Sequence, residues 1–273
     1  VNVILPLANK EIPLIRDSYV DKEFGTGALK VTPAHDVNDF EIGQRHNLEA
    51  INVLNKDSTL NEYGLEWQGL DIFVARKKIV AKLEELGLIE KIEEITHNVN
   101  YASKSGAVIE PYLSDQWFVS MKPLAEPALK VVNDGQIKFH PERWVKTYNH
   151  WMQNVRDWCI SRQLWWGHQI PIWYHNETGE IYCEIEPPKD IDNWTQDPDV
   201  LDTWFSSWLW PFSVFGWENN KEKDKANEAL QYFYPTDFLG TAADIIFLWV
   251  ARMIMAGLEY MDAIPFKDVY FNS

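Results

Sequence analysis

The chain is expected to be an α/β protein in two domains, and three observations point there. Short strand-like runs punctuated by proline and glycine alternate with helical stripes along the sequence. A length of 273 residues, 46% of them hydrophobic, is enough for about two cores. The aromatic content also changes along the chain: Trp67 stands alone, and every other tryptophan lies between Trp117 and Trp249.

The N-terminal residues 1–35 read as short strands at Val3-Ile4-Leu5, at 11–15 and at 28–32, with Pro6, Pro13, Gly25 and Gly27 between them. Two glycines around Thr26 suit a tight turn or a close backbone approach to a ligand. A short helix is expected over 37–46, with Asp36 as its N-cap and Asp39 at the third position of a capping box. Residues 58–69 read as a loop or strand pair. Residues 71–86 carry the clearest helical pattern, a stripe of Ala75, Ile79 and Leu83 with Val80 beside it, and Gly87 stops it. Further on, Arg156-Asp157-Trp158-Cys159-Ile160-Ser161-Arg162-Gln163 leads into Trp165-Trp166-Gly167-His168, read as a strand and a turn with aromatic packing. Residues 245–261 are apolar except for Arg252 and Glu259, which is the pattern of a buried helix. A strand pattern, Val269-Tyr270-Phe271, follows.

Composition excludes several classes. A spanning helix wants about 20 apolar residues without charges, and the run at 245–261 is interrupted, so no membrane segment is expected. Cys159 and Cys183 lie far apart without a CxxC, which argues against a zinc knuckle or disulfide framework and fits a reducing, cytoplasmic setting. No metal site is expected. A net charge of −16 disfavours a general nucleic-acid binder, although a local basic face is compatible with it. The nearest basic cluster, Arg76-Lys77-Lys78 with Lys82, is read as a solvated helix face.

Two stretches carry a resemblance. Phe24-Gly25-Thr26-Gly27-Ala28-Leu29-Lys30-Val31-Thr32-Pro33-Ala34-His35-Asp36-Val37-Asn38-Asp39-Phe40 resembles the hydrolytic editing insertion of the valine, isoleucine and leucine tRNA synthetases. The run Asp199-Val200-Leu201-Asp202-Thr203-Trp204-Phe205-Ser206-Ser207-Trp208-Leu209-Trp210-Pro211-Phe212 is similar to their catalytic body, and most similar to the valine branch. The segment around Arg156 to Pro171 resembles the same enzymes. The resemblance implies α/β architecture throughout, with a β-rich editing domain, present in part over 1–112, followed by the second half of a Rossmann-type catalytic domain over 113–273 and a boundary near residue 112. It implies that the full enzyme joins valine to tRNA(Val) with ATP and Mg²⁺, and hydrolyses mischarged threonyl-tRNA(Val). No ATP is expected on this chain by itself, and a monomer is expected.

The resemblance also assigns roles. Asp39 would bind the substrate ammonium, while Lys30, Thr32 and Asp36 shape the hydroxyl-recognising side and Phe24 forms a wall. Asp39, Thr32 and Lys30 are the catalytic candidates, acting on a water that attacks the ester without a covalent intermediate. In the second domain Asp244 would hold the valine amino group, with Trp210, Ile245 and Trp249 as the apolar pocket. The residues also admit plainer readings. Asp36 and Asp39 suit a helix start, and Asp244 could form a capping box with Thr241. Trp249 could be core, and His35 a hydrogen-bonded structural histidine.

Several departures stand beside the resemblance. The HIGH and KMSKS motifs that handle ATP phosphates are absent, and Ser103-Lys104-Ser105 only echoes the second. Ala242 stands where many relatives have glycine. The upstream threonine-rich strand of the editing pocket is missing too. The chain is therefore expected to be an internal fragment that does not charge tRNA alone. Two other classes stay open. A synthetase-derived tRNA-binding module would keep the fold without the chemistry, and a carbohydrate-active enzyme would use tryptophans for sugar stacking and paired carboxylates for hydrolysis.

Overall fold

The computed structural model describes residues 1–103 and 105–272, so Lys104, at the centre of the KMSKS-like echo, lies outside the described residues. The chain divides into two compact units, Val1–Asp115 and Gln116–Ser273.

In the first unit, β1 (Asn2–Leu5) and β2 (Lys10–Pro13) form an antiparallel hairpin. Helix α1 (Val37–His46) begins where Asp36, in extended backbone, accepts from the amides of Asn38 and Asp39 at 2.8 and 3.1 Å. The expected Asp36 N-cap is thus formed, and the helix ends at Asn47 in left-handed backbone, a stop the sequence reading does not name. Helix α2 (Ile72–Glu85) is capped by Asp71 and stopped at Gly87, whose φ is +67°. Ala75 is buried and Ile79 half-buried against Leu54, Leu60 and Trp67, while Val80 faces solvent. Arg76, Lys77 and Lys78 are exposed, and Lys82 pairs with Glu85 at 2.9 Å, as on a solvated face. Residues 58–69 make isolated bridges, Leu54 with Leu60 and Thr59 with Asp71, around a 3₁₀ turn (Glu62–Trp67).

The run 28–32 is not a strand. Among the described residues no neighbouring strand pairs with it, and the Thr32 amide donates to the side chain of Asp39 instead. Two contacts fix its position. Gly43 of α1 lies so close to Pro33 that a Cβ would come within 2.9 Å of its ring. Ahead of it, Gly25 (φ +58°) and Gly27 (φ +70°) turn the chain, and a Cβ on Gly27 would meet the Lys22 carbonyl at 2.9 Å.

The second unit opens with β3 (Phe118–Val119), α3 (Lys122–Asn133), β4 (Lys138–His140) and α4 (Trp144–Gln153). Then come β5 (Trp158–Cys159), β6 (Ser161–Arg162), β7 (Ile172–His175), β8 (Ile181–Cys183), β9 (Trp194–Gln196) and β10 (Val200–Leu201). The chain continues through α5 (Thr203–Ser207), α6 (Trp210–Ser213), α7 (Lys221–Ala226), α8 (Glu228–Phe233), β11 (Thr236–Ala242), α9 (Ala251–Met261) and β12 (Phe266–Asn272).

The organising feature is a parallel sheet in the order β11–β12–β4, with Val269 of the middle strand fully buried. Two parallel neighbours need a crossover, and residues 243–261 supply it. The expected helix covers 245–261 of that segment. The segment is instead a 3₁₀ turn (Ala243–Ile245), a π-helical turn (Ile246–Val250) and then α9. Its inner face, including Val250, Met253, Ile254 and Met255, is buried with Phe139, Tyr148 and Phe212. An antiparallel meander β8–β7–β9 and two short pairs, β3–β5 and β6–β10, complete the unit. The expected aromatic packing at Trp165-Trp166 is absent: Trp165 is fully exposed and Trp166 84% exposed.

Candidate functional sites in the two units

In the first unit the site is built around Asp39. Its residue is buried, and Oδ2 accepts from the Thr32 amide at 2.7 Å and from Thr32 Oγ1 at 3.1 Å. Asp39 therefore does not close the capping box by reaching back to the Asp36 amide; it ties the preceding segment to the helix. Both donors converge on one oxygen, which leaves Oδ1 without a protein donor among the described residues. Asp36 is occupied as the cap, with its Oδ1 on the two helix amides.

Lys30 lies near enough to Asp39 to feel its charge. Loss of solvent around the ammonium lowers its pKa from the ordinary lysine value, and the Asp39 charge opposes that shift. Much of the Lys30 side chain nonetheless remains accessible. Lys30, Thr32, Asp36 and Asp39 are thus brought together. Phe24 is not, being 79% exposed on the glycine turn.

His35 has both ring nitrogens engaged. Nε2 accepts from the Val53 amide at 2.9 Å, which leaves Nδ1 protonated to donate to the Pro111 carbonyl at 3.1 Å. It serves as a strut between two loops, in keeping with the plainer reading.

In the second unit Trp210, Ile245 and Trp249 line a single cavity of about 300 Å³ together with Trp204 and Ser207. Trp249 donates its indole N–H to the Ser207 carbonyl at 2.9 Å, so the ring is pinned to the end of α5. Trp204 and Ser207 were missed from the sequence. Their signal was available: 204, 207 and 210 are spaced by three, the interval that lines up side chains on one helical face.

Asp244 sits just beyond the carboxyl end of β11, next in the chain to Ile245 but outside the cavity lining. It is exposed, and its carboxylate has no protein partner among the described residues. The expected capping box with Thr241 is not formed: Thr241 is buried within β11, and the 3₁₀ turn starts without a side-chain cap. An unpartnered carboxylate at the end of a parallel strand, beside a small aromatic cavity, is a suitable receiver for an ammonium group.

The sequence matches the family of tRNA synthetases class I (I, L, M and V) over residues 30–191 and 188–273. The chain belongs to that family. It is 62% identical over 271 residues to the valine--tRNA ligase of Geobacillus stearothermophilus and 58% identical to that of Bacillus subtilis (strain 168). The valine--tRNA ligase of Chlorobaculum tepidum is 57% identical over 276 residues. Each alignment covers 99% of this chain and 30% of the relative, so the chain spans about a third of the length of these proteins. A methionyl-tRNA synthetase structure from Mycobacterium tuberculosis aligns over 86% of this chain and 42% of that one, with a TM-score of 0.42 and 14% identity, too loosely to bear on the sites.

Proposed function

We propose that this chain is part of a valyl-tRNA synthetase, with the valine-binding half of the aminoacylation site in residues 113–273 and part of a hydrolytic editing site in 1–112. The observation that carries the reading is the convergence of Trp210, Ile245 and Trp249 on one small cavity beside the unpartnered Asp244. Rigid aromatic walls set a size limit, and one carboxylate orients an amino acid by its ammonium. The 57–62% identity to valine--tRNA ligases supports valine as the side chain selected.

A pocket of this kind cannot strongly reject threonine, which has the shape of valine with a hydroxyl; valyl-tRNA synthetase facing threonine is itself the standard example of this limit. A second, hydrolytic site answers it. In that site Asp39 offers Oδ1 to the ammonium of the threonyl ester while Oδ2 holds Thr32, and Lys30 lies on the same side. Water attacks the ester carbonyl carbon, the bond to the ribose oxygen breaks, and threonine and uncharged tRNA(Val) leave. His35 is committed to Val53 and Pro111, which leaves it out of proton transfer. ATP with Mg²⁺ is the co-substrate the family implies for ligation. The sequence carries neither HIGH nor KMSKS, so no nucleotide contact is assigned to this chain.

The test has two arms. Calorimetric titration with valine should give binding that Asp244→Ala abolishes, and oligosaccharides should give none. Threonyl-tRNA(Val) should be hydrolysed in preference to valyl-tRNA(Val). A chain that binds tRNA(Val) but neither valine nor the threonyl ester would be a binding module, and the enzyme reading would fall.

A further inference from the structure

The pocket walls are joined a second time beneath the Trp249–Ser207 bond. Asp202 occupies the N-cap position of α5 yet makes no side-chain cap. Its Oδ2 accepts from Trp158 Nε1 at 2.8 Å and lies 3.2 Å from Arg162 and 3.8 Å from Arg252. Arg162 also donates to the carbonyls of Cys159 and Ser161, so it is well supplied elsewhere. Arg252 is not. It is 5% exposed, its Nε and one terminal nitrogen have no hydrogen-bond partner, and its guanidinium carbon lies over the Trp158 ring, 3.6 Å from the centroid. Burial draws its pKa down to about 10, opposed chiefly by the Asp202 charge.

A buried ion pair is seldom more stable than apolar packing of the same volume, so its presence calls for a role in register. Here the register is legible. Asp202 starts the helix that ends at Ser207, and Arg252 sits three residues, just under one helical turn, after Trp249. We propose that Asp202 and Arg252 are positioning residues, whose ion pair on the Trp158 face holds α5 against the β11–α9 segment and thereby fixes the width of the amino-acid cavity. The selectivity part of this inference rests on the valine-pocket reading. The clamp itself is tested without it.

The experiment follows the indole N–H of Trp249 in ¹⁵N-labelled full chain, identified by its loss in Trp249→Phe. Arg252→Met removes the charge while keeping an apolar stem, and Asp202→Asn removes the charge while keeping an acceptor for Trp158. In both variants hydrogen exchange at Trp249 should speed up roughly tenfold, the change that a network coupling of about 1.4 kcal/mol produces. The indole of Trp117, bonded to Asp197 at 2.9 Å, is the control and should not change. The affinity ratio of valine over isoleucine should fall by a similar factor. Unchanged exchange at Trp249 overturns the proposal, and so does equal acceleration at Trp117, which would mean general loosening. Should Arg252→Met fail to fold, Asp202→Asn carries the same test. If the parent chain binds no valine, the valine reading fails while the exchange data still decide the clamp.

Discussion

Asp39 offers the sharpest separation of structure from chemistry, because in the proposed editing site its two oxygens have different duties. Asp39→Ala removes an ionised acceptor of two hydrogen bonds, and leaves the part-buried Thr32 amide without a partner. Bonds to charged groups are worth about 1.5–3 kcal/mol each. The two converge on one oxygen and do not add fully, so about 2–4 kcal/mol of local stability should go. Asp39→Asn keeps a carbonyl oxygen for both Thr32 donors and turns its amide outward. Only the charge assistance is lost, about 1 kcal/mol. The substrate ammonium, however, loses its counter-charge in both variants. Truncating one member of a desolvated charge pair costs at least about 2–3 kcal/mol, which corresponds to roughly 100-fold.

The assays are hydrogen exchange at the Thr32 amide and the initial rate of threonyl-tRNA(Val) hydrolysis. Asp39→Ala should fail in both, whereas Asp39→Asn should keep Thr32 protected and lose the hydrolysis. If Asp39→Asn hydrolyses the ester at the parent rate, Asp39 acts only by holding Thr32, and the ammonium assignment is wrong.

Three further outcomes follow from the geometry. Gly27→Ala forces a side chain into left-handed backbone and into contact with the Lys22 carbonyl; it should cost the turn about 1–2 kcal/mol and raise proteolytic cleavage near residue 25. Asp17 is held well below the ordinary aspartate range, first by its hydrogen bonds from Arg45, so the stability it adds is present above the unfolded value and lost as pH falls below it. Asp17→Asn should therefore flatten the acid limb of a pH-unfolding curve below about pH 4 and leave the neutral region with a lower plateau. Trp249→Phe deletes the bond to Ser207 and trims the cavity wall. Isoleucine affinity should rise by about tenfold relative to valine, the scale on which one methylene is discriminated, as read by calorimetry.

Local chemistry was legible in the sequence, and partner-dependent structure was not. Helices α1 and α2 are legible because the signals that bound them, the Asp36 cap and the Gly87 stop, act within a few residues. The run 28–32 has strand composition, but a strand exists only with a neighbour, and here Asp39 takes the Thr32 amide instead. Trp165 and Trp166 show the same limit from the other side: aromatic character says that burial is favourable and not where it occurs. The sequence reading makes residues 245–261 of the crossover one helix. The crossover's 3₁₀ and π turns depend on how the segment docks between β11 and β12, which periodicity does not encode. Trp210, Ile245 and Trp249 are named through family resemblance, and Trp204 and Ser207, which line the same cavity, carry a three-residue spacing to Trp210 that gains meaning only once the cavity is seen.

The aspartates at helix starts show how a site becomes visible. Asp36, Asp71, Asp202 and Asp244 all stand at or beside the first residue of a helical element, where capping is the ordinary explanation for the residue type. Asp36 and Asp71 behave accordingly, each accepting from two amides of the first turn. Asp202 and Asp244 do not. Asp202 forgoes a cap worth about 1 kcal/mol, whereas Asp244 lies inside its 3₁₀ turn, where Ala242 holds the cap position. Asp202 directs its charge to Trp158 and two arginines inside the unit, and Asp244 presents its charge to solvent beside the cavity. Capping accounts for Asp36 and Asp71 and leaves the carboxylates of Asp202 and Asp244 for other duties, in the proposed site a clamp behind the cavity wall and a receiver for the ammonium beside it.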